Sequence, residues 1–360
     1  MRKNIISVIG ARPNFMKMAP IINELNILKL DNIVVHTGQH YDQKMSEDIL
    51  NDLGFQDPEY FLGAGGGTQV NQIYKIMKKF EKICLKEKPV LVIVAGDVNS
   101  TLACALVAVK MDIKVAHVEA GLRSDDLKMP EEINRILTDR ISDILFTTEM
   151  NAEKNLIKEG ISRDKIHFVG NCMIDSLMKF ITKAKTLEYW KKLGLNRKEY
   201  LLATIHRPSN VDSKNDLSNV VKTLNTISKQ LPIVFPIHPR TRKKIDEFSL
   251  SLNKNISLLE PLSYIPFLSL MSQSKIIITD SGGIQEEATF LGIPCITMRE
   301  NTERPITVEI GTNILAGIEC DSIISIFNKI IKKDNFDYKI PPLWDGHAGK
   351  RIINVIKDSI

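Results

Sequence analysis

The segment KIIITDSGGIQEEATFLGIPCITM, Lys275 to Met298, spells out one complete strand–turn–helix–strand unit. Ile276 to Thr279 is a short apolar, β-branched run, which reads as a buried strand. Asp280 and Ser281 offer helix N-caps, and Gly282-Gly283 permit tight backbone geometry. An amphipathic helix spans about Ile284 to Leu291, closed by Gly292 and Pro294. Cys295 to Met298 is a second buried strand. Such a unit leaves free N–H groups and the positive end of a helix dipole at a strand's carboxyl edge, an anion site suited to phosphate. Of the adjacent Glu286 and Glu287, one can cap the helix and the other hold a sugar hydroxyl. Gly turns of this kind also occur without ligands, so the rest of the chain has to carry the case.

The same unit recurs along the whole chain. NIISVI, Asn4 to Ile9, is a strand, broken by Gly10-Ala11-Arg12-Pro13 before a helix of about Asn14 to Leu28. Arg12 and Lys17 place two cations where the helix dipole opposes them, a cost that a bound anion offsets. Ile33 to His36 is a strand, Met45 to Leu53 a helix, GAGGGT a glycine loop, and Gln69 to Lys86 a long helix. VLVIVA, Val90 to Ala95, is apolar throughout, as a central parallel strand must be. It ends in Gly96-Asp97, and Lys114 to Val118 ends in Glu119. Asp97 and Glu119 therefore stand just past the ends of central strands, where open α/β sheets bind ligands. Pro130 and the glutamates after it open a helix to Ile141, with Glu131 and Arg135 on one face. Ile144 to Thr147 and Ile166 to Val169 follow as strands.

Charged, less patterned sequence from Met173 to Arg197 reads as a connection, after which the alternation restarts. Tyr200 to Ile205 ends in His206, the counterpart of Arg12. Further strands are expected at Pro232 to Pro236 and Ile256 to Leu259, then a helix at Tyr264 to Ser272 and the SGG unit. The expected fold is α/β: two doubly wound, Rossmann-like domains, residues 1–172 and 199–340, joined through 173–198. Residues 341–360 form a tail helix packing back on the first domain. Two such domains facing each other place both sets of strand ends on one interdomain cleft.

The size of the chain, 360 residues, suits two domains. No apolar run is long enough to cross a bilayer and no signal peptide opens the chain, so a cytoplasmic protein with no membrane partner is expected. The five cysteines are scattered and never in CxxC spacing, which argues core thiols rather than disulfides or a metal cluster. The net charge of +5 is mild and its cations are interleaved with acids, which argues against nucleic acid.

The motifs GARPNFMKMAPI, HTGQHYD, GDVNST, HVEAGLRS, MPEEINRILTD, IHRPSNVD, FPIHPRT and TDSGGIQEEATFLGIPCITMRENTERP occur in that order, from Gly10 to about Thr312. Together they resemble the non-hydrolysing UDP-N-acetylglucosamine 2-epimerases. The resemblance implies a glycosyltransferase GT-B-like fold with an interdomain active site. It implies that Ser281, Gly282 and Gly283 bind the diphosphate, Glu287 the ribose, and the loop around Phe267 with the backbone near Leu262 the uracil. Arg304 is to reach the phosphates. Arg12, Lys17, Asp97, Glu119, Glu131, Arg135 and His206 are to surround the sugar and pyrophosphate. Gln39, His40 and Gln43 fall in the stretch that resembles the family's regulatory site for a second sugar nucleotide. The family often reads GTRPE where this chain has GARPN, so no acid is essential after Pro13.

The chemistry implied by the resemblance is reversible C2 inversion of UDP-N-acetylglucosamine to UDP-N-acetylmannosamine. UDP leaves as the C2 proton is taken, giving a glycal, and adds back after protonation on the other face. Cations and a helix end stabilise the departing pyrophosphate, while Asp97, Glu119 and Glu131 transfer protons. No redox cofactor and no metal is required, and a homodimer is implied. The readings to separate from it are a hydrolysing epimerase releasing UDP and N-acetylmannosamine, an epimerase of another UDP-2-acetamido sugar such as a diacetamido uronate, a UDP-sugar glycosyltransferase, and a non-catalytic UDP-sugar sensor.

Overall fold

The computed structural model describes residues 4–39, 57–333 and 336–359, with the Arg12 side chain left outside that set. The sequence-expected helix Met45 to Leu53, and with it His40 and Gln43, lies outside the described residues. The chain divides into two compact units. Unit 1 is Met1–Met178 with Pro342–Ile360, and unit 2 is Lys179–Pro341.

Unit 1 is built on strands β1 (Ile5–Ile9), β2 (Asn32–His36), β3 (Tyr60–Phe61), β4 (Leu91–Ala95), β5 (Lys114–Ala120), β6 (Ile144–Thr147) and β7 (Ile166–Phe168). Every pairing is parallel and the order is β3-β2-β1-β4-β5-β6-β7. β1 and β4, entirely buried, sit at the centre because their side chains are apolar on both faces, save for Ser7 of β1, whose hydroxyl is satisfied by Asn32 of β2. The order reverses between them, which is the switch point where such sheets leave a crevice. The helices are α1 (Arg12–Ile27), α2 (Gln69–Glu87), α3 (Asn99–Lys110), α4 (Pro130–Ile141), α5 (Met150–Lys158) and the start of α6 (Cys172–Leu187). α2, α3 and α4 pack side by side, and Phe80, Ile83, Cys104 and Val107 close the core beneath them. The tail helix Ala348–Ser359 belongs to unit 1, where Gly349 lies against Pro20 of α1; a Cβ there would stand 2.9 Å from the proline.

Unit 2 opens with the end of α6 and the short α7 (Tyr189–Lys192). Its strands are β8 (Leu201–Thr204), β9 (Ile233–Pro236), β10 (Ile256–Leu259), β11 (Ile276–Thr279), β12 (Cys295–Thr297) and β13 (Asn313–Leu315). They are again all parallel, in the order β10-β9-β8-β11-β12-β13, with the reversal between β8 and β11. Its helices are α8 (Pro208–Val211), α9 (Lys214–Ile227), α10 (Pro239–Glu247), α11 (Tyr264–Gln273), α12 (Gly282–Leu291), α13 (Ile306–Glu309) and α14 (Cys320–Ile331). The five cysteines are free and buried. Among the described residues no helix is long and apolar enough to cross a membrane.

Candidate functional site

In unit 1 the polar groups gather at the switch point. α1 begins where β1 ends, and Asn14 in its first turn donates to the Ala95 carbonyl at 2.6 Å, tying that turn to the end of β4. One turn further, Lys17 is 5 % exposed and its Nζ stands 2.5 Å from Glu119 Oε2. The sequence placed Glu119 beyond its strand; it lies within β5, at a register shift between Val118 and Ala120. Its φ is +70°, a conformation that costs an L-residue and recurs where a side chain is re-aimed at a site. The bulge is what turns the carboxylate towards Lys17. The anion that meets the cation at the start of α1 is thus a protein side chain.

Asp97 follows Gly96, which needs its left-handed φ of +66°; a Cβ there would come 2.8 Å from Lys17 Nζ. Asp97 is half-buried, and Arg135 holds its Oδ2 from Nε at 3.1 Å and Nη2 at 3.0 Å. Asn134 donates to the Asp97 carbonyl at 2.8 Å. The i,i+4 spacing places Glu131 and Arg135 on one face of α4. The structure pairs Arg135 with the neighbouring Glu132, buried, whose Oε2 accepts from Arg135 Nη1. Glu132 also accepts from the Ser124 and Asp125 backbone N–H groups at 3.0 Å each, clamping the loop after β5. Glu131 stands half-buried at the start of α4. Lys17–Glu119 and Asp97–Arg135 are therefore two ion pairs at the ends of β4 and β5, brought near each other where Gly96 faces Lys17, with Glu132 and Asn134 as partners that a motif reading passes over.

Gln39, expected at a regulatory site, is buried at the amino end of α3. Its Oε1 accepts from Ser100 N at 2.9 Å and Ser100 Oγ at 2.7 Å.

In unit 2 the expected caps are not used as such. Ser281 occupies the N-cap position of α12 without a side-chain cap bond. Asp280, fully buried, turns away from α12 to the loop after β8. It accepts from His206 N at 2.9 Å, Arg207 N at 2.8 Å and Asn210 Nδ2 at 3.0 Å. The His206 ring lies against it, with Nδ1 3.2 Å from Oδ1. Burial decides this: an ionised carboxylate in the core goes where several donors converge. The effect is to fasten His206 to the Ser281 turn across the switch point.

Beside Gly282, Arg304 Nε lies 3.0 Å from Glu286 and its Nη1 lies 2.5 Å from Glu303 Oε1. Arg299 Nη2 donates to Glu303 Oε2 at 2.7 Å, and Arg207 Nη2 is 3.7 Å from Oε1. Burial pushes the Glu303 carboxyl up, but Arg304, Arg299 and Arg207 outweigh it and hold it well below the usual carboxylate range. A Cβ on Gly282 would meet Arg304 Nη1 at 2.5 Å, so the glycine is what lets the guanidinium reach the turn. Glu287 accepts from the Tyr264 hydroxyl at 2.7 Å. Phe267, expected in a loop, is buried in the first turns of α11, where its N–H donates to Ser263 O at 3.2 Å; Leu262 is half-buried just ahead of that helix. The sequence offered Asp280 only as a helix cap and did not single out Glu303, although both lie inside quoted motifs; the partners of Asp280 come from the segment after β8, and Glu303 is reached by Arg207 of the same segment, distant in the chain.

Two Rossmann-like units in one chain, each with charged side chains at its switch point, define a protein of the GT-B-like α/β class. Residues 24–357 match the family model described as UDP-N-acetylglucosamine 2-epimerase. A protein of Methanococcus maripaludis called UDP-N-acetylglucosamine 2-epimerase is 44 % identical over 359 residues, covering 97 % of each chain. A Pseudomonas aeruginosa protein called UDP-2,3-diacetamido-2,3-dideoxy-D-glucuronate 2-epimerase is 43 % identical over 326 residues, covering 89 % of this chain and 90 % of its own. The crystal structure of Methanocaldococcus jannaschii UDP-GlcNAc 2-epimerase in complex with UDP-GlcNAc and UDP superposes with a TM-score of 0.92 at 42 % identity, covering 99 % of both chains. This chain belongs to the UDP-N-acetylglucosamine 2-epimerase family.

Proposed function

We propose that the chain interconverts UDP-N-acetylglucosamine and UDP-N-acetylmannosamine without net hydrolysis. The observation that carries this reading is the buried Lys17–Glu119 pair beside Asp97–Arg135, four ionised groups crowded at the ends of β1, β4 and β5. A sensor has no need of so costly a cluster, whereas removing a weakly acidic C2 proton needs fixed bases and fixed counter-charges. In the first half-reaction the C2–H bond breaks, its proton passing to a carboxylate of the Asp97, Glu119 and Glu131 set. The C1–O bond breaks with its electron pair leaving on the diphosphate, and C1=C2 forms. Return of UDP and of a proton to the opposite face completes the inversion.

Unit 2 supplies the nucleotide's binding groups in this reading. The N–H groups at Ser281, Gly282 and Gly283 with Arg304 and His206 meet the diphosphate, Glu287 the ribose, and the Leu262–Phe267 stretch the uracil. Gln39, His40 and Gln43 belong to a regulatory site for the same sugar nucleotide. The protein acts as a homodimer, which accounts for apolar side chains left open on α2 and α4, Val70 at 77 % and Tyr74 at 57 % exposure, Ile133 at 44 % and Leu137 at 46 %. Sedimentation of Tyr74→Asp/Leu137→Asp at half the native mass is the expected check.

The test of function is incubation with UDP-N-acetylglucosamine in deuterated water, followed by proton NMR. Deuterium at C2 in both epimers with UDP retained is expected. Stoichiometric release of UDP with N-acetylmannosamine marks a hydrolysing enzyme, and neither exchange nor conversion sinks the proposal. The 43 % identity to the protein named for a diacetamido glucuronate favours one second reading, settled by comparing kcat/KM on that sugar nucleotide.

A further inference from the structure

β5 is apolar and buried along its length except for a charged start, the re-aimed Glu119 and one further polar residue, His117, whose ring is wholly buried. Its Nε2 stands 2.8 Å from the Gly96 carbonyl oxygen. A carbonyl only accepts, so that nitrogen carries a hydrogen and donates it. Nδ1 stands 2.7 Å from Oδ1 of Asp139, also wholly buried. The other oxygen of Asp139 accepts from Gly121 N at 3.0 Å and from Arg123 Nη1 at 2.8 Å. Arg123 in turn grips Glu159 through Nε and Nη2 at 2.7 Å each. Three chemically demanding groups, His117, Asp139 and Arg123, are therefore kept buried in a place that leucines could fill, and replacing buried ion pairs by apolar side chains often leaves stability unchanged. Stability alone does not account for their presence.

What the network touches does account for it. The Gly96 carbonyl belongs to the peptide bond that leads into Asp97. Rotating that peptide turns the Asp97 side chain with it. The peptide's neighbours are already fixed: Gly96 N donates to Val118 O at 2.9 Å, and Asn134 holds the Asp97 carbonyl. Asp139 lies one helical turn after Arg135 on α4, so one helix reaches this turn three ways: at the carboxylate, at the Asp97 carbonyl, and through His117 at the Gly96 carbonyl.

We propose that His117, oriented by Asp139, is a positioning residue that sets the Gly96–Asp97 peptide and with it the direction of the Asp97 carboxylate. The proposal rests on the reading of Asp97 as a proton-transfer group. The two nitrogens of the ring can be separated by substitution. The amide of His117→Gln reaches where Nε2 was and keeps the donor to Gly96. The amide of His117→Asn reaches where Nδ1 was, keeps Asp139 and loses Gly96. The expected result is a kcat lower by about 100-fold in H117N, the size of penalty a small misplacement of a reacting group brings, against about fivefold in H117Q. KM for UDP-N-acetylglucosamine and calorimetric affinity for UDP stay within about threefold in both.

A readout independent of turnover is hydrogen exchange of the peptide spanning residues 95–99. It should quicken about tenfold in H117N and not in H117Q, because only H117N frees this turn. Equal losses in the two variants, or a normal rate in H117N, overturn the proposal. If the wild type itself shows no conversion, the epimerase reading fails and the exchange comparison alone judges the positioning role. If H117N does not fold, Asp139→Asn carries the test. It loosens the ring's anchor and should quicken the same exchange, and unchanged exchange refutes the device.

Discussion

Replacing Lys17 by methionine leaves the Glu119 carboxylate buried with its cation gone. At 2.5 Å the pair's attraction is about 7 kcal/mol for an effective dielectric of ~20. Bringing the two ions out of water costs several kcal/mol each, so the intact pair contributes little net stability. The single substitution exposes the unreturned half of that cost, about 3–5 kcal/mol. Lys17→Met/Glu119→Gln removes both charges and should recover most of it, leaving a deficit of about 1–2 kcal/mol from imperfect packing and one unsatisfied amide. The molecule supplies its own reporter. It has two tryptophans, Trp344 in unit 1 and Trp190 in unit 2. Trp344 is 2 % exposed and donates to Thr148 O at 3.0 Å, so its emission follows the unfolding of unit 1. Urea titrations in a Trp190→Phe background therefore read the Lys17 site without interference from unit 2. A loss under ~1 kcal/mol for Lys17→Met, the range of solvent-exposed pairs, would refute the account of Lys17–Glu119 as a buried pair.

Other outcomes follow from the same geometry. Asp97→Asn should fold, bind UDP as before and lose about 10²–10⁴ of its turnover; normal activity removes Asp97 from the proton-transfer set. His206→Ala should weaken calorimetric UDP affinity as well as the rate, and an unchanged affinity argues against a phosphate role. His36 is buried between Phe15 and Phe61, and burial lowers its pKa to about 4. Its folded value lies below the unfolded 6.5, so the unfolded chain takes up the proton first. The resulting stability is whole above pH 6.5 and is lost as pH falls towards 4. About 2 kcal/mol should disappear between pH 7 and 5 by Trp344 fluorescence. His36→Asn keeps an acceptor for the Gly38 N–H but cannot take up a proton, so its stability should fall less over that interval. An equal fall in both proteins removes His36 as the cause.

Much of this architecture was legible along the chain. VLVIVA has no polar face, so it can only be a strand covered on both sides, and runs of that kind alternating with capped helices leave little besides a parallel sheet. Strand ends followed by Gly96-Asp97 and Gly282-Gly283 marked the edges where charged side chains gather. Glu119 was harder. Its identity was plain, but its aim depends on a bulge, and a bulge arises from pairing with β6, which local sequence does not encode. The i,i+4 spacing put Glu131 and Arg135 on one face, but the guanidinium is held by Asp97 and Glu132, an arrangement that depends on how α4 packs against the end of β4.

The order of apolar and turn-forming residues by itself determined the elements, their alternation and which strand ends carry polar groups, because these follow from periods of two and 3.6 and from backbone geometry. Which charge meets which was decided only by the tertiary structure. Asp280 answers to His206 and not to its own helix, Glu303 gathers Arg207, Arg299 and Arg304, and Asp139 reaches the Gly96–Asp97 turn through His117. The physical reason is that a buried ion is stabilised by whichever donors surround it in space, and those donors arrive from segments far apart in the chain.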